Sequence, residues 1–71
     1  MYRNLEAEMV RYGVTRNHIA KILNLRYASI IDKLSGKYSF KLDEAFKIQR
    51  EFFPNLTIEY LFEQFDEREV G

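Results

Sequence analysis

"ILNLRYASI", residues 22–30, sets an asparagine between an apolar pair and a single leucine and then offers a large cation and a phenol, Arg26 and Tyr27, where a second helix begins. After glycine, asparagine is the residue that most readily takes the left-handed backbone conformation that ends a helix, so Asn24 reads as a terminator. Leu25 plugs the turn. From Arg26 helical spacing resumes, with Ile30 and Leu34 one turn apart, until Ser35 and Gly36 end it. Upstream, Thr15 caps a helix whose apolar residues are Ile19, Ala20, Ile22 and Leu23. Val14 and Ile19 form its hydrophobic staple, and His18 stands where a capping box normally has glutamate. Two short helices joined by a turn of about four residues make a helix-turn-helix.

Further helices flank this pair. In the first, Asn4 suits an N-cap, Glu6 and Glu8 favour the positive end, and Leu5, Met9 and Tyr12 share a face until Gly13. The loop "GKYSFK", residues 36–41, is basic and aromatic together, with Phe40 expected in the core. Helix four runs from about Leu42 to Phe53, with Asp43 and Glu44 in its first turn, a poor cap in Lys41, and Pro54 and Asn55 beyond it. Thr57 caps a fifth helix with Leu56 and Leu61 as staple, and Ile58, Leu61, Phe62 and Phe65 fall at i, i+3, i+4 and i+7. The pattern predicts one all-α, five-helix domain over residues 1–71, with 66–71 a frayed tail.

A chain of 71 residues buries only about 60% of its unfolded surface, so its core must be compact and association with a second copy is expected. The absence of cysteine removes disulfides, thiolate chemistry and Cys-based metal sites. No stretch approaches the roughly 20 apolar residues that span a bilayer, and a cytoplasmic location, in a bacterial cell or a phage-infected host, is the default expectation.

Net charge is zero, but it is unevenly distributed. From Arg11 to Lys41 seven cations (Arg11, Arg16, Lys21, Arg26, Lys33, Lys37, Lys41) face one acid, Asp32, whereas from Leu42 onward eight acids outnumber three cations. One pole can face a polyanion. Taking Ile30 and Leu34 as inward, steps of about 100° put Ala28, Asp32 and Ser35 on the outward face of helix three, flanked by Ser29 and Ile31. Arg26 and Tyr27 stand at its tip, where a helix docked in a groove comes closest to the bases.

On these residues, "GVTRNHIAKILNLRYASIIDKLSGKYSFKLDEAFKI" resembles the phage repressor and Cro type of helix-turn-helix domain. The resemblance covers roughly residues 4–65. It rests on the Thr15 cap, Ile19 and Ala20, the turn at Asn24, Ile30, the "Ser-Gly-Lys" that follows, and "LDEA" opening helix four. It implies a lambda-repressor-like fold whose third helix, about 26–35, enters the major groove. By the same resemblance Thr15, Arg16, Asn17 and Lys37 match positions that touch phosphate, and Arg26, Tyr27, Ala28, Ile31 and Asp32 match positions that face bases. Departures are Asn24 in place of the turn glycine, Arg26 and Tyr27 in place of Ser or Thr followed by Gln, and Lys33 where relatives have an apolar residue.

Each site residue has an ordinary reading beside the functional one. Arg26 suits bidentate binding of guanine O6 and N7 or a phosphate. Tyr27 either contacts base and sugar or packs in a small core. Asp32 either accepts from cytosine N4 or pairs with a nearby cation, and Ile31 either reads a thymine methyl or packs at the core edge. His18 has no second histidine for company, so no metal is expected. No nucleophile stands beside a base and no glycine loop cradles phosphate, so no enzyme activity and no cofactor are expected.

The sequence thus predicts a double-stranded DNA-binding transcriptional regulator, pairing as a homodimer through helices four and five with Phe52, Phe53, Phe62 and Phe65 as candidate interface. A protein-binding adaptor that keeps the fold without operator binding is the alternative, motivated by the neutral total charge and Asp32 on the outward face.

Overall fold

Three successive helices end by the same device. The computed structural model describes residues 2–65 and contains α1 (Arg3–Tyr12), α2 (Arg16–Leu23), α3 (Tyr27–Ser35), α4 (Leu42–Phe52) and α5 (Ile58–Leu61), with no strand among the described residues. Gly13, Asn24 and Gly36 follow α1, α2 and α3 in the left-handed region, at φ 69°, 56° and 92°. Beyond each, the next residue's N–H reaches back to a carbonyl of the last turn: Val14 to Met9 (2.8 Å), Leu25 to Ala20 (3.0 Å) and Lys37 to Asp32 (3.0 Å). This six-to-one bond satisfies a carbonyl that the helix leaves orphaned, and it turns the chain sharply. Asn24 is the one non-glycine at positive φ among the described residues, and only Asn24, Leu25 and Arg26 separate α2 from α3. Leu25 packs against the core, as expected of the residue that plugs such a turn.

The core gathers Leu5 and Met9 of α1, Ile19 and Ala20 of α2, Ile30 and Leu34 of α3, Ile48 of α4 and Leu61 of α5, together with Tyr2 and Phe53. Helix α2 packs against α3 and α4, while α5 packs against α1 and α4. No helix among the described residues is long and apolar enough to cross a membrane.

Several expectations are corrected by the packing. Asn4 does not cap α1, because Tyr2 is buried with its ring edge against Phe40 and Phe62, which fixes the chain early enough for the helix to begin at Arg3. The Asn4 amide instead donates to the Tyr60 carbonyl (2.8 Å). Helix α3 begins at Tyr27, with Arg26 as an extended N-cap residue that lends no side-chain bond. The poor cap at Lys41 is offset by Glu44, whose Oε1 accepts from the Lys41 N–H (2.9 Å). Helix α4 stops at Phe52, and α5 stops at Leu61, so Phe62 and Phe65 lie outside the helical stripe expected to run through both.

The phenylalanines read as a dimer interface are largely consumed within the fold. Phe53 is buried, Phe52 and Phe62 pack against the core, and half-buried Phe65 lies under the Arg3 guanidinium, 5.5 Å from its ring centre. The tail expected over residues 66–71 lies outside the described residues.

Glu8 departs furthest from its reading as a partner for the helix dipole. It occupies the stripe of Leu5, Met9 and Tyr12 and is buried. Its Oε2 accepts the Tyr60 hydroxyl at 2.7 Å, while Oε1 has no hydrogen-bond partner and the Arg11 Nε lies 3.6 Å away. That bond raises the Tyr60 phenol above its ordinary 10.0, with burial and the Glu8 charge adding to it and Arg11 opposing.

Candidate nucleic-acid interface

Thr15 is extended (φ −97°, ψ 164°), which frees its hydroxyl to accept the His18 N–H at 3.2 Å. His18 returns the favour through Nδ1, which accepts the Thr15 N–H at 3.0 Å, so histidine closes the capping box that glutamate usually closes. This reciprocal pair fixes where α2 starts. Arg16 and Asn17 follow as its first helical residues, both exposed.

The first turn of α2 and the first residue of α3 meet at one hollow of about 420 Å³. Thr15, Arg16, Asn17 and Tyr27 contribute to its wall, with Met9, Val10 and Val14 supplying apolar surface and Glu6 a carboxylate. The fold therefore brings three phosphate candidates together with one base candidate. Lys37 does not line the hollow; it lies in the loop after α3, exposed, with its Nζ 5.7 Å from the Tyr38 ring centre.

Arg26, Tyr27, Ala28 and Ile31 are exposed: Ala28 lies opposite the fully buried Ile30 and Leu34, Ile31 is on its flank, and Arg26 and Tyr27 stand at the N-terminal tip of α3. Tyr27, 49% exposed, is not a core tyrosine, and Ile31, at 37%, sits at the edge of solvent. Asp32 is only half-exposed, and its backbone carbonyl accepts from the Ser35 hydroxyl and from the N–H groups of Lys37 and Tyr38. The residue thus shapes the end of α3 whatever its carboxylate meets.

The charge distribution is less one-sided than the sequence count. Lys33 is largely buried: its Nζ lies 3.2 Å from Glu44 Oε1, donates to the Ser39 carbonyl at 3.0 Å and sits 5.8 Å from the Phe40 ring centre. An ammonium so held is lost to the positive pole, and it explains how a lysine serves at a position read as apolar. Arg16 Nη2 stands 3.7 Å from Glu6 Oε1, and Arg11 is beside Glu8. Lys21, Arg26, Lys37 and Lys41 have no carboxylate partner among the described residues. Sequence reasoning missed Glu6 as a member of this site; its spacing from Arg16 in the chain gave no signal that α1 would deliver it there.

Among the described residues no three His, Cys, Asp or Glu side chains are grouped to hold a metal ion. No protein-family model, curated protein or solved structure matches the chain.

Proposed function

We propose that the chain is a sequence-specific, double-stranded DNA-binding transcriptional regulator of the phage repressor or Cro type, in which α2, the turn at Asn24 and α3 act as a helix-turn-helix. The observation that carries this reading is the exposed surface of α3: Ala28 lies opposite buried Ile30 and Leu34, Ile31 flanks it, and Arg26 and Tyr27 are exposed at the N-terminal tip, where Tyr27 shares a hollow with the first turn of α2. A face with a small residue at its middle and long polar groups at its tip suits entry into the major groove. Thr15, Arg16, Asn17 and Lys37 contact the flanking phosphates, and Arg26, Tyr27, Ala28, Ile31 and Asp32 face the bases. Two copies bind half-sites one helical turn, about 34 Å, apart, and their presence on the operator excludes polymerase.

The adaptor reading draws on the carboxylate of Glu6 beside Arg16 and on the neutralised Lys33, both of which weaken attraction to phosphate. A salt series on duplex DNA separates the two, since each neutralised phosphate steepens the log–log slope by about 0.9. In the same assay Arg26→Ala relaxes sequence preference, at a cost of about 1–3 kcal/mol on its preferred base, whereas Arg16→Ala weakens all sequences alike. A flat salt dependence with no preference among duplexes would favour the adaptor instead.

A further inference from the structure

Helix α4 carries an outer face that the fold leaves uncovered. Its inward residues are Ala45 and Ile48, whereas Leu42, Asp43, Phe46, Lys47 and Arg50 are all exposed, Leu42 at 67% and Phe46 at 43%. At about 100° per residue these five span an arc of about 140°, a continuous strip with apolar and charged members side by side. Within the strip the charges are ordered along the axis, Asp43 first and Lys47 and Arg50 last, while exposed Glu51 lies about 40° beyond Lys47 at its border. Among the described residues none of Asp43, Lys47 and Arg50 has an ion-pair partner.

We infer that α4 is the surface through which two copies of this chain pair, with the two helices antiparallel about a two-fold axis beside the Phe46–Lys47 peptide. The charge order selects this arrangement. Parallel helices in register would set Asp43 beside Asp43 and Arg50 beside Arg50, which repels. The antiparallel arrangement opposes Asp43 to Arg50 of the second copy, and by symmetry does so twice. The midpoint of Asp43 and Arg50 is the Phe46–Lys47 peptide, so the same axis lays each Phe46 ring against the Lys47 stem of the second copy, an apolar and cation–π contact together. Leu42 then covers the stem of Arg50 from the opposite chain. The inference refines the two-copy part of the regulator reading, since the phenylalanines first expected to form that interface are mostly occupied within each copy.

Helix α4 has 11 residues and is therefore about 16 Å long, so the strip falls below the standard interface of about 800 Å² per partner. Pairing is accordingly weak and concentration-dependent. Sedimentation equilibrium without DNA, over roughly 10 µM to 1 mM, reads it directly. The average mass of the unmodified chain is expected to rise from the 8.6 kDa of one copy towards twice that value. Asp43→Arg alone and Arg50→Asp alone each oppose like charges twice and remain single copies. Their equimolar mixture restores two attractive contacts and associates again, and Phe46→Ser weakens the unmodified pairing by about tenfold, a loss of about 1.4 kcal/mol.

Circular dichroism of each variant reports that the helices are intact. An unmodified chain that stays a single copy throughout the range, leaving the strip bare or open to a different protein, overturns the inference. So does a mixture as inert as its separate components. Because no DNA is present, a protein that pairs in this pattern yet ignores every duplex loses only the regulator reading, and one that reads an operator as a single copy loses only the pairing.

Discussion

The seam between α1 and α5 and the face formed by α2 and α3 are built from different bonds. At the seam, side chains tie residues far apart in the chain: Asn4 to the Tyr60 carbonyl, Tyr60 to Glu8, and the Gln64 amide to the Tyr2 hydroxyl. In α2 and α3 the side-chain hydrogen bonds are local, Thr15 with His18 and Ser35 with Asp32, except at Lys33, which reaches Ser39 and Glu44, and the two helices are joined by apolar packing and the turn at Asn24. The difference teaches where polar groups have been committed to the fold and where they have been left to solvent. The exposed tip of α3 spends few of its donors and acceptors internally, which suits the recognition role proposed above.

The largest expected effect lies at the seam. Leu61 is fully buried in a helix of four residues, and Leu61→Ala removes its packing against the core at a cost of about 2–5 kcal/mol, a large share of the 5–15 kcal/mol typical of a whole domain. Urea unfolding should report a loss of unfolding free energy of that size through a lower midpoint, and an unchanged midpoint would make α5 dispensable.

A smaller effect is expected at the turn. Asn24→Ala replaces asparagine at φ 56° with a residue less tolerant of the left-handed region and should cost about 1–2 kcal/mol, whereas Asn24→Gly should leave thermal stability nearly unchanged. Equal losses from both would mean that the Asn24 side chain, not its backbone conformation, matters.

The finest distinction is one of pH. The Tyr60 phenol is raised by its bond to Glu8, so its stabilising contribution is complete below the ordinary 10.0 and is lost as pH rises through the higher folded value. Thermal unfolding followed from neutral to strongly alkaline pH should therefore decline less steeply at the alkaline end in Tyr60→Phe than in the parent. Identical alkaline slopes would remove the Tyr60–Glu8 bond from the account of the seam.

Local signals carried the elements well. The left-handed Asn24, the Thr15 cap closed by His18, and the inward pair Ile30 and Leu34 all follow from residues within one or two turns, and all were legible in the chain. What was not legible depends on partners brought from elsewhere. Glu8 looks like a solvent-facing acid until Tyr60 arrives; only its register with Leu5 and Met9 hinted at burial. Lys33 looks like one more cation until Ser39 and Glu44 enclose its ammonium. Phe65 fits a helical stripe by spacing, yet Phe62 has already left the helix to meet Tyr2 and Phe40. The same limit applies to the candidate interface: Arg16, Asn17 and Tyr27 were legible one at a time, whereas Glu6 and the hollow they share were not.

The segment from Gly36 to Lys41 has no regular secondary structure, yet it is pinned at three points. Lys33 holds the Ser39 carbonyl, Glu44 holds the Lys41 N–H, and the Phe40 ring stands edge-on to Tyr2 and Phe62. Fixing a residue's backbone costs about 1–2 kcal/mol in conformational entropy, and here folding itself has already met that cost. On the function proposed above, a phosphate reaching Lys37 would meet a loop whose backbone is already tied down beside it, so the ordering cost of contact would fall mainly on the Lys37 side chain.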